Sequence, residues 1–476
     1  MSLSYSEVKE LASGKIGRLL FRYSWPALVA MTLNALYSVV DRAFIGHGCG
    51  VDAMAGVQLA MPAMMLLAAF GPLIGVGHAA VLSIKLGEGD RATCEKLVGE
   101  TIALKVLLYA VLVPLLYVFL DQVLALCGAR QVTLGAAAAA KSYLRIVLFS
   151  HVFSHLAFGL SALHRAEGGA IRSMMCMVVG FGANMVLDPI LIFGFGLGVV
   201  GAAWATNVSM LLSCLWAFSY YLRGTSIVRL RLRRIWIYPS LFCRTFAIGL
   251  APFLQHFMSA VIVASLQIAF AKWMPDEASR TAEMASLGVF NGALLLVIMP
   301  VLGCQQGLQP IFGYNWGARN FRRVLEALKK GFLVTTALTV FAFVIQVVPP
   351  FPTLIARLFV TGDSPEIIRL AAGDLQLANC MIWTISVNVV ATTYFQSIGK
   401  PAVAIGLSLL RQGVVLLPIV WFLPHFLDDK AFAIWLSMPV SDVLCQFATI
   451  LPLFLHARFL SRVRPRGACR ENRLVT

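Results

Sequence analysis

The sequence contains few charged residues, and this scarcity excludes a soluble globular fold. Only 13% of the 476 residues are charged, whereas 59% are hydrophobic, and the mean hydropathy is +0.83. Soluble chains carry about 25% charged and about 45–50% apolar residues.

The ten cysteines form no C-x-x-C pair and lie mostly in apolar runs, so we interpret them as small buried hydrophobic residues. Cys49 and Cys127 fall in predicted outer loops, where a disulfide is compatible with the sequence.

The sequence also lacks the short alternating segments that are typical of a transmembrane β-barrel. It has long continuous apolar runs instead, many of which reach the roughly 20 residues that a membrane helix needs. This pattern predicts an all-α polytopic membrane protein with twelve transmembrane helices. The predicted spans are approximately 18–46, 53–84, 97–120, 141–163, 173–194, 199–222, 246–271, 284–313, 331–350, 373–396, 404–426 and 432–457.

The net charge of +16 is concentrated between the apolar runs and after the last one. Arginines cluster at 223–244, at 319–330 and in the tail, whereas the alternate breaks carry little positive charge or are acidic. Because positive charge is typical of cytoplasmic loops, this alternation places both termini in the cytoplasm. No nucleic-acid recognition motif accompanies the charge, so nucleic acid is not expected as a partner.

The two halves of the chain resemble each other at several points, in the same order and at a nearly constant offset. Pro26 corresponds to Pro252, and the glycines of "GVGHAAVLSIKLGEGD" correspond to those of "QQGLQPIFGYNWGARN". Such a repeat predicts two pseudo-symmetric six-helix bundles with a substrate cavity between them, as in alternating-access transporters. The predicted units are a cytoplasmic N-terminal segment (1–17), the first bundle (18–222), a basic cytoplasmic linker (223–245), the second bundle (246–457) and a basic cytoplasmic tail (458–476).

Two acids fall well inside predicted spans of the first half, Asp41 in "LYSVVDRAFIG" and Asp188 in "NMVLDPILIFGFG". An ionisable residue at membrane depth is costly and predicts a functional site. At about 1.5 Å per residue, both acids lie about 8–10 Å inside the outer boundary, and Thr206 returns to a similar depth on the sixth span. Tyr37 precedes Asp41 by four residues and Asn184 precedes Asp188 by four, so each pair shares a helix face.

These five polar residues predict a site for a coupling cation. Two neighbouring carboxylates in a dry site hold a proton near neutrality, and the same oxygens suit Na⁺. Pro189 removes a backbone N–H, so its helix can bend and its carbonyls can join the site. Two structural alternatives remain: Asp188 caps a broken helix beside Pro189, or Asp41 forms an ion pair with Arg42.

The second half has no comparable pair of acids. Asp442 is the one acid clearly inside a late span, where it either serves a second site or pairs with Arg411. Asn34, Gln305 and Gln306 are further candidates for a substrate cavity or a second site, although hydrogen bonds between helices explain such residues equally well. His151 and His155 lie four residues apart, a spacing used by metal ligands, but no third ligand accompanies them. No cofactor or metal is expected apart from the coupling ion.

The residues quoted above carry a resemblance to the multidrug and toxin extrusion (MATE) family of antiporters. The resemblance runs over nearly the whole chain, and the segments "NMVLDPILIFGFGLGVVGAAWAT" and "QQGLQPIFGYNWGA" are its most specific parts. It implies that Asp41 and Asp188 form the cation-coupling pair, with Tyr37, Asn184 and Thr206 as polar neighbours. It also implies that Pro26 takes part in bending the first span. Some members carry an acid in the seventh span, which this sequence lacks.

The resemblance implies export of cationic, lipophilic drugs and toxins, driven by inward H⁺ or Na⁺, across a bacterial inner membrane. The expected partners are small organic molecules and membrane lipid, and the expected oligomeric state is a monomer. Two other classes remain as alternatives. A flippase for lipids or lipid-linked oligosaccharides shares the two-bundle plan but needs cationic residues in its cavity, and the first half shows almost none. A membrane-embedded enzyme needs a catalytic cluster near an interface.

Overall fold

The computed structural model describes residues 10–49, 51–127, 133–224, 226–359 and 365–462, and these are almost entirely helical. In the described residues from Ile16 onwards, the first half contains seven α-helices: α1 (Ile16–Cys49), α2 (Val51–Glu88), α3 (Arg91–Val118), α4 (Leu120–Leu126), α5 (Leu134–Ala166), α6 (Ala170–Pro189) and α7 (Gly198–Leu222). The second half contains nine: α8 (Pro239–Trp273), α9 (Glu277–Gly317), α10 (Phe321–Val347), α11 (Phe351–Phe359), α12 (Pro365–Asn379), α13 (Ile385–Ser397), α14 (Pro401–Leu409), α15 (Leu417–Phe422) and α16 (Lys430–Arg462).

Eleven helical segments of the described residues are long and apolar enough to cross a membrane. They coincide with the second to the twelfth predicted spans. The first predicted span lies within α1, which is 34 residues long but is not among the eleven. Two helices extend into segments that the sequence assigned to a linker and a tail, since α8 begins at Pro239 and α16 ends at Arg462. The short helices α4 and α11 were not predicted.

Three membrane-spanning segments change their helical geometry partway along. After Pro189, α6 continues as a π-helical turn over Ile190–Gly194, next to the proline that removes a backbone donor. The tenth span breaks between α12 and α13, where a short 3₁₀ turn covers Ile382–Thr384. A π-helical stretch, Leu410–Leu416, joins α14 to α15. Because π turns widen the helix and redirect its side chains, they frequently mark functional positions.

The buried hydrophobic residues that the structure describes form one core shared by both halves, two larger cores confined to single halves and a small cluster around Val301 in the second half. The shared core lies at the end of the molecule that carries the basic segments and includes Leu19, Leu163 and Leu308. Towards the other end, a separate core in the first half surrounds Leu144, and another in the second half surrounds Trp435. The two bundles therefore pack together at the basic end and have separate cores at the opposite end.

Glycines allow the two bundles to approach closely at the basic end. A Cβ atom on Gly249 of α8 would overlap the backbone carbonyl of Leu73 in α2. A Cβ atom on Gly307 of α9 would likewise meet the backbone of Ser24 in α1, at 2.7 Å from its nitrogen. The α2–α8 contact and the α9–α1 contact correspond under the sequence repeat, so the interface has approximate twofold symmetry.

The segment between the bundles packs against the first bundle through charged groups. Arg231 and Arg234 lie 3.1 and 2.8 Å from the Glu95 carboxylate of α3, and the Tyr238 amide donates to Glu100 Oε1 at 2.8 Å.

Cys49 and Cys127 are both free thiols, so the disulfide considered from the sequence is not formed.

Glu167 lies in the turn between α5 and α6, close to the same segment. Its carboxyl accepts hydrogen bonds from the hydroxyls of Tyr220 and Tyr221, at 3.2 and 2.9 Å. Burial is the largest influence on this group and raises the pKa of Glu167 to about 7, although the tyrosine hydroxyls and the amides of Ile227 and Val228 oppose the shift.

We predict that Gly249→Val destabilises the bundle interface. The added side chain overlaps the Leu73 carbonyl, and overpacking of this kind costs about 1–3 kcal/mol. The melting temperature in detergent should fall measurably. The matched control is Gly288→Val, because nothing lies within 4 Å of the position of its Cβ atom. Equal melting temperatures for the two variants would contradict the assigned contact.

A second prediction concerns pH. Because the folded-state pKa of Glu167 is raised, the stabilising contribution of its bound proton is complete below the unfolded pKa and is lost as pH rises through about 7. Between about pH 5 and about pH 8, the wild-type melting temperature should therefore fall more steeply than that of Glu167→Gln. Glu326→Gln, the same change at an exposed site paired with Lys330, should keep the wild-type slope. A wild-type slope in Glu167→Gln would refute this assignment.

Candidate functional site

Three helices of the first bundle bring the five predicted polar residues together. Tyr37 and Asp41 lie on α1, Asn184 and Asp188 on α6, and Thr206 on α7. The α6 residues are completely buried, and Asp41 and Thr206 are only 8% and 6% exposed. The two residues of each pair are four positions apart on α1 and on α6, which places them on one face of their helix, as the sequence predicts.

Direct contacts connect these three helices. The Asn184 amide nitrogen donates to Thr206 Oγ1 at 3.5 Å, and the Thr206 hydroxyl donates to the Ala202 carbonyl at 3.0 Å. The Tyr37 hydroxyl lies within hydrogen-bonding reach of Thr206, and its ring stacks on Phe181 with centroids 5.0 Å apart. Tyr37 and Thr206 therefore join α1 to α7 beside the acids.

The Asp188 carboxyl group lies against the Asp41 carboxyl and the Asn184 side chain. Within the described part of the chain, neither Asp188 oxygen accepts a hydrogen bond of normal geometry, and the same holds for Asn184 Oδ1. Buried acceptors without donors are costly, and two adjacent buried carboxylates repel each other when both are charged. A shared proton or a bound cation relieves both penalties. The oxygen ligands of Asp41, Asp188, Asn184 and Thr206 fit Na⁺ as well as H⁺.

The alternatives considered for these acids have different outcomes. Asp188 does not cap a broken helix, because α6 continues through it to Pro189 and its carboxyl accepts no backbone N–H. The alternative ion pair between Asp41 and Arg42 involves the Arg42 side chain, which lies outside the described part of the structure. Pro26 is buried within α1, which passes through it as a continuous helix. The roles of these residues in ion coupling and helix bending stay predictions.

The second bundle does not repeat the pair of acids. Asp442 of α16 binds Arg411, whose Nε donates to Asp442 Oδ1 at 2.7 Å, so the ion pair, one of the two alternatives for this acid, is present. The segment "VLDPI" at 186–190 matches "VLLPI" at 415–419, which places Leu417 where the first bundle has Asp188. The second bundle therefore lacks the central carboxylate of the first site.

The two candidate glutamines of α9 face different surroundings. Gln306 approaches Met31 of α1 across the bundle interface, with 3.7 Å between its amide nitrogen and the sulfur. Gln305 lines a polar cleft inside the second bundle. Asn34 is half-buried on α1. The cleft has a volume of about 20 Å³, room for about one water molecule, and is lined by Gln255, Gln305, Asn388, Val389, Thr392, Ser408, Arg411 and Gln412.

Lys105 is a buried basic residue that is not among the predicted site residues. It is completely buried in α3, and its ammonium group donates to the Gly71 carbonyl at 3.2 Å. His155 lies beside it and stacks on Tyr109 with ring centroids 4.8 Å apart. The first half therefore has a basic residue in the middle of a span, and the single lysine in "ETIALKVLLYAVL" is the feature of the sequence that could have predicted it.

Among the described residues, no three His, Cys, Asp or Glu side chains are grouped to hold a metal.

Comparisons with known proteins identify relatives along nearly the whole chain. The family model described as MatE matches residues 26–190 and 253–422. The chain is 26% identical over 436 residues to the multidrug export protein MepA of Staphylococcus aureus (strain NCTC 8325 / PS 47), covering 92% of this chain and 93% of that protein. MepA of Staphylococcus saprophyticus is also 26% identical, over 437 residues, with the same coverage of both chains.

Solved structures resemble this one over a similar length. A multidrug resistance MATE family transporter of the MOP superfamily, in an outward-facing conformation, superimposes with a TM-score of 0.85 at 22% identity, covering 95% of this chain and 98% of that chain. A MATE structure in the bent conformation gives a TM-score of 0.86 at 21% identity, covering 96% and 98%. At these identities the likeness concerns the fold alone.

Proposed function

We propose that this chain, which belongs to the MatE family, is a secondary antiporter that exports cationic or amphiphilic drugs and toxins in exchange for H⁺ or Na⁺. Membership of the family confirms the resemblance found in the sequence. The protein is a multi-pass protein of the bacterial cytoplasmic membrane. We propose the coupling ion, the direction of exchange and the residues that perform the exchange.

One observation carries the proposal: the completely buried Asp188 carboxyl lies beside Asp41 and Asn184, and neither of its oxygens accepts a hydrogen bond of normal geometry among the described residues. Such a site is stable only when a proton or a metal cation neutralises it. Binding of the ion therefore changes the charge and the packing between α1 and α6. A conformational change can be coupled to ion binding only when the two conformations differ in affinity for that ion.

The arrangement of the two bundles supports alternating access. They share a core at the basic end and have separate cores at the other end. We propose twelve spans with both termini in the cytoplasm, so that the closed end is cytoplasmic and the opposite end opens outwards. In this scheme the units 18–222 and 246–457 move relative to each other, joined by the linker 223–245.

The substrate class is proposed from the relatives, since MepA is named as a multidrug export protein. Met31 of α1 and Gln306 of α9 meet between the bundles and, with Asn34, provide soft and polar groups for an amphiphilic molecule. We propose that the protein acts as a monomer in the lipid bilayer and needs no cofactor besides the coupling ion.

We predict that Asp41→Asn and Asp188→Asn each abolish ion-driven export. An amide keeps the size of each side chain but cannot take up and release a cation across neutral pH. Ethidium movement in proteoliposomes, under separately imposed pH and Na⁺ gradients, should fall to the rate of protein-free liposomes in both variants. The gradient that drives wild-type export identifies the coupling ion.

Asp52→Asn is the matched control for this experiment. Asp52 is an exposed acid at the start of α2 that accepts a hydrogen bond from Thr133 at 2.7 Å, so its variant should export ethidium at the wild-type rate. Folding of all three variants is checked by size-exclusion chromatography. Wild-type export by a folded Asp188→Asn protein would remove this residue from the coupling mechanism.

A further inference from the structure

The segment that joins the two bundles exposes large apolar side chains outside the membrane spans. Leu232 and Trp236 are 79% and 70% exposed, although neither belongs to a membrane-spanning helix. Their neighbours Leu230 and Ile235 pack against the core that both halves share. The segment Arg229–Trp236, which we call the basic strip, therefore has some apolar side chains that the protein covers and others that it leaves uncovered.

The arginines of the basic strip also divide into two kinds. Arg231 and Arg234 both reach the Glu95 carboxylate of α3. Arg229 and Arg233 are exposed and have no hydrogen bond or ion pair among the described residues. The linker between the bundles contains six arginines and no acid, and Glu95 already serves two of them. Two guanidinium groups of the strip are therefore left without a counterion.

Close backbone contact holds the basic strip on α3. A Cβ atom on Gly99 of α3 would overlap the carbonyl oxygen of Arg234, and the Arg234 guanidinium donates to the Ala92 carbonyl at 2.9 Å. Just after the strip, the Tyr238 amide donates to Glu100 of the same helix. The strip is thus fixed along the first turns of α3 before any ligand binds, and such preorganisation reduces the entropy lost on binding.

The place of this contact along α3 puts the basic strip near the membrane surface. Val106, Leu107 and Val111 of α3 are 47%, 53% and 58% exposed, as expected for a helix that faces hydrocarbon chains. Gly99 precedes Val106 by seven residues, which is about 10 Å along the helix. The headgroup layer on each side of the hydrocarbon core is about 5–8 Å thick. The strip therefore falls near the level of the lipid headgroups, where tryptophan is enriched in membrane proteins.

The exposed groups of the basic strip match the chemistry of an anionic phospholipid. A guanidinium binds phosphate oxygens through two parallel hydrogen bonds. Unpaired arginines favour a headgroup of net negative charge, because a zwitterionic headgroup carries its own cation. Leu232 and Trp236 add apolar surface that suits acyl chains, and a free phosphate ion would leave this surface in water.

We propose that the basic strip binds an anionic phospholipid. Arg229 and Arg233 hold its phosphate group, and Leu232 and Trp236 lie against its acyl chains. Because α8 begins at Pro239, only three residues after the strip, the bound lipid also holds the start of the second bundle against the first. The proposal concerns neither the transported substrate nor the coupling ion, so it does not depend on the proposed export function.

Lipid binding to the purified full-length protein tests the proposal. Native mass spectrometry in a neutral detergent compares dioleoylphosphatidylglycerol, which is anionic, with dioleoylphosphatidylcholine, which has the same acyl chains and is zwitterionic. Each basic side chain at a membrane surface favours an anionic lipid about fivefold, so two arginines predict a preference of about 25-fold for phosphatidylglycerol. Equal affinities for the two lipids would overturn the proposal.

The double variant Arg229→Gln/Arg233→Gln locates the preference. We expect it to bind phosphatidylglycerol about 25-fold more weakly than the wild type and phosphatidylcholine with unchanged affinity. The matched control Arg280→Gln/Arg369→Gln removes the same charge from exposed positions in α9 and α12 at the opposite end of the molecule, and it should bind both lipids like the wild type. If the strip variant binds phosphatidylglycerol as tightly as the control does, the lipid lies elsewhere and the assignment is wrong.

A soluble ligand and a second double variant distinguish a lipid from a phosphate ion. Glycerol 3-phosphate carries the phosphate without acyl chains, so at equal concentration it should not displace phosphatidylglycerol. Leu232→Ser/Trp236→Ser keeps the arginines and should weaken phosphatidylglycerol binding several-fold. Displacement by glycerol 3-phosphate, or wild-type lipid binding by this apolar variant, would identify a phosphate site and reject the lipid.

Folding of every variant is checked by its melting temperature without added lipid, which should equal that of the wild type. If the arginine variant does not fold, the apolar variant and the soluble ligand decide the question. The measurements use detergent and no ion gradient. Failure of gradient-driven ethidium export would therefore overturn the proposed function while leaving a measured preference for phosphatidylglycerol intact.

Discussion

The cost of placing charge away from water determines which polar residues this protein keeps inside its spans. Each buried ionisable group must be neutral, paired or bound to an ion. Asp442 is paired with Arg411, and the Lys105 side chain donates to the Gly71 carbonyl. Asp188 has no cationic partner among the described residues, and neither of its oxygens accepts a hydrogen bond of normal geometry there. Of these groups, Asp188 and its neighbour Asp41 are the ones that an external cation can complete.

Close helix packing is the second constraint, and it explains what the two halves share. The bundle interface requires glycine at positions such as Gly249 and Gly307, where a Cβ atom would meet the backbone of the other half. Pro189 and Pro418 occupy equivalent places in "VLDPI" and "VLLPI". The proline is thus repeated in both bundles, although the π-helical turn follows it in the first bundle and precedes it in the second. Asp188 and Leu417 differ because ion binding is not needed twice for the bundles to fit together.

The sequence was sufficient for the parts of the fold and site that follow from local patterns. Apolar runs predicted the eleven membrane-spanning segments found among the described residues. The spacing of four residues, together with the estimated depth of each residue in the membrane, predicted that Asp41 and Asp188 lie close together. Features that depend on packing between distant segments were not predictable in this way. The burial of Lys105 depends on contacts of α3 with α2 and α5, and the π-helical stretch that presents Arg411 has no distinctive local sequence. The choice between two roles for Asp442 depended on whether Arg411 lies on the facing side of its helix.

The position of α1 explains how the ion site that we propose, confined to one bundle, can act on both. Its outer part carries Tyr37 and Asp41, whereas its inner part carries Ser24 and Leu28, which contact Gly307 and Gly303 of the second bundle. The distance from Ser24 to Asp41 along the helix is about 25 Å at about 1.5 Å per residue. Pro26 lies within the inner contact, where a missing backbone hydrogen bond makes bending least costly. A change in charge at Asp41 that shifts the outer part of α1 therefore acts through one continuous helix on the interface that holds the bundles together.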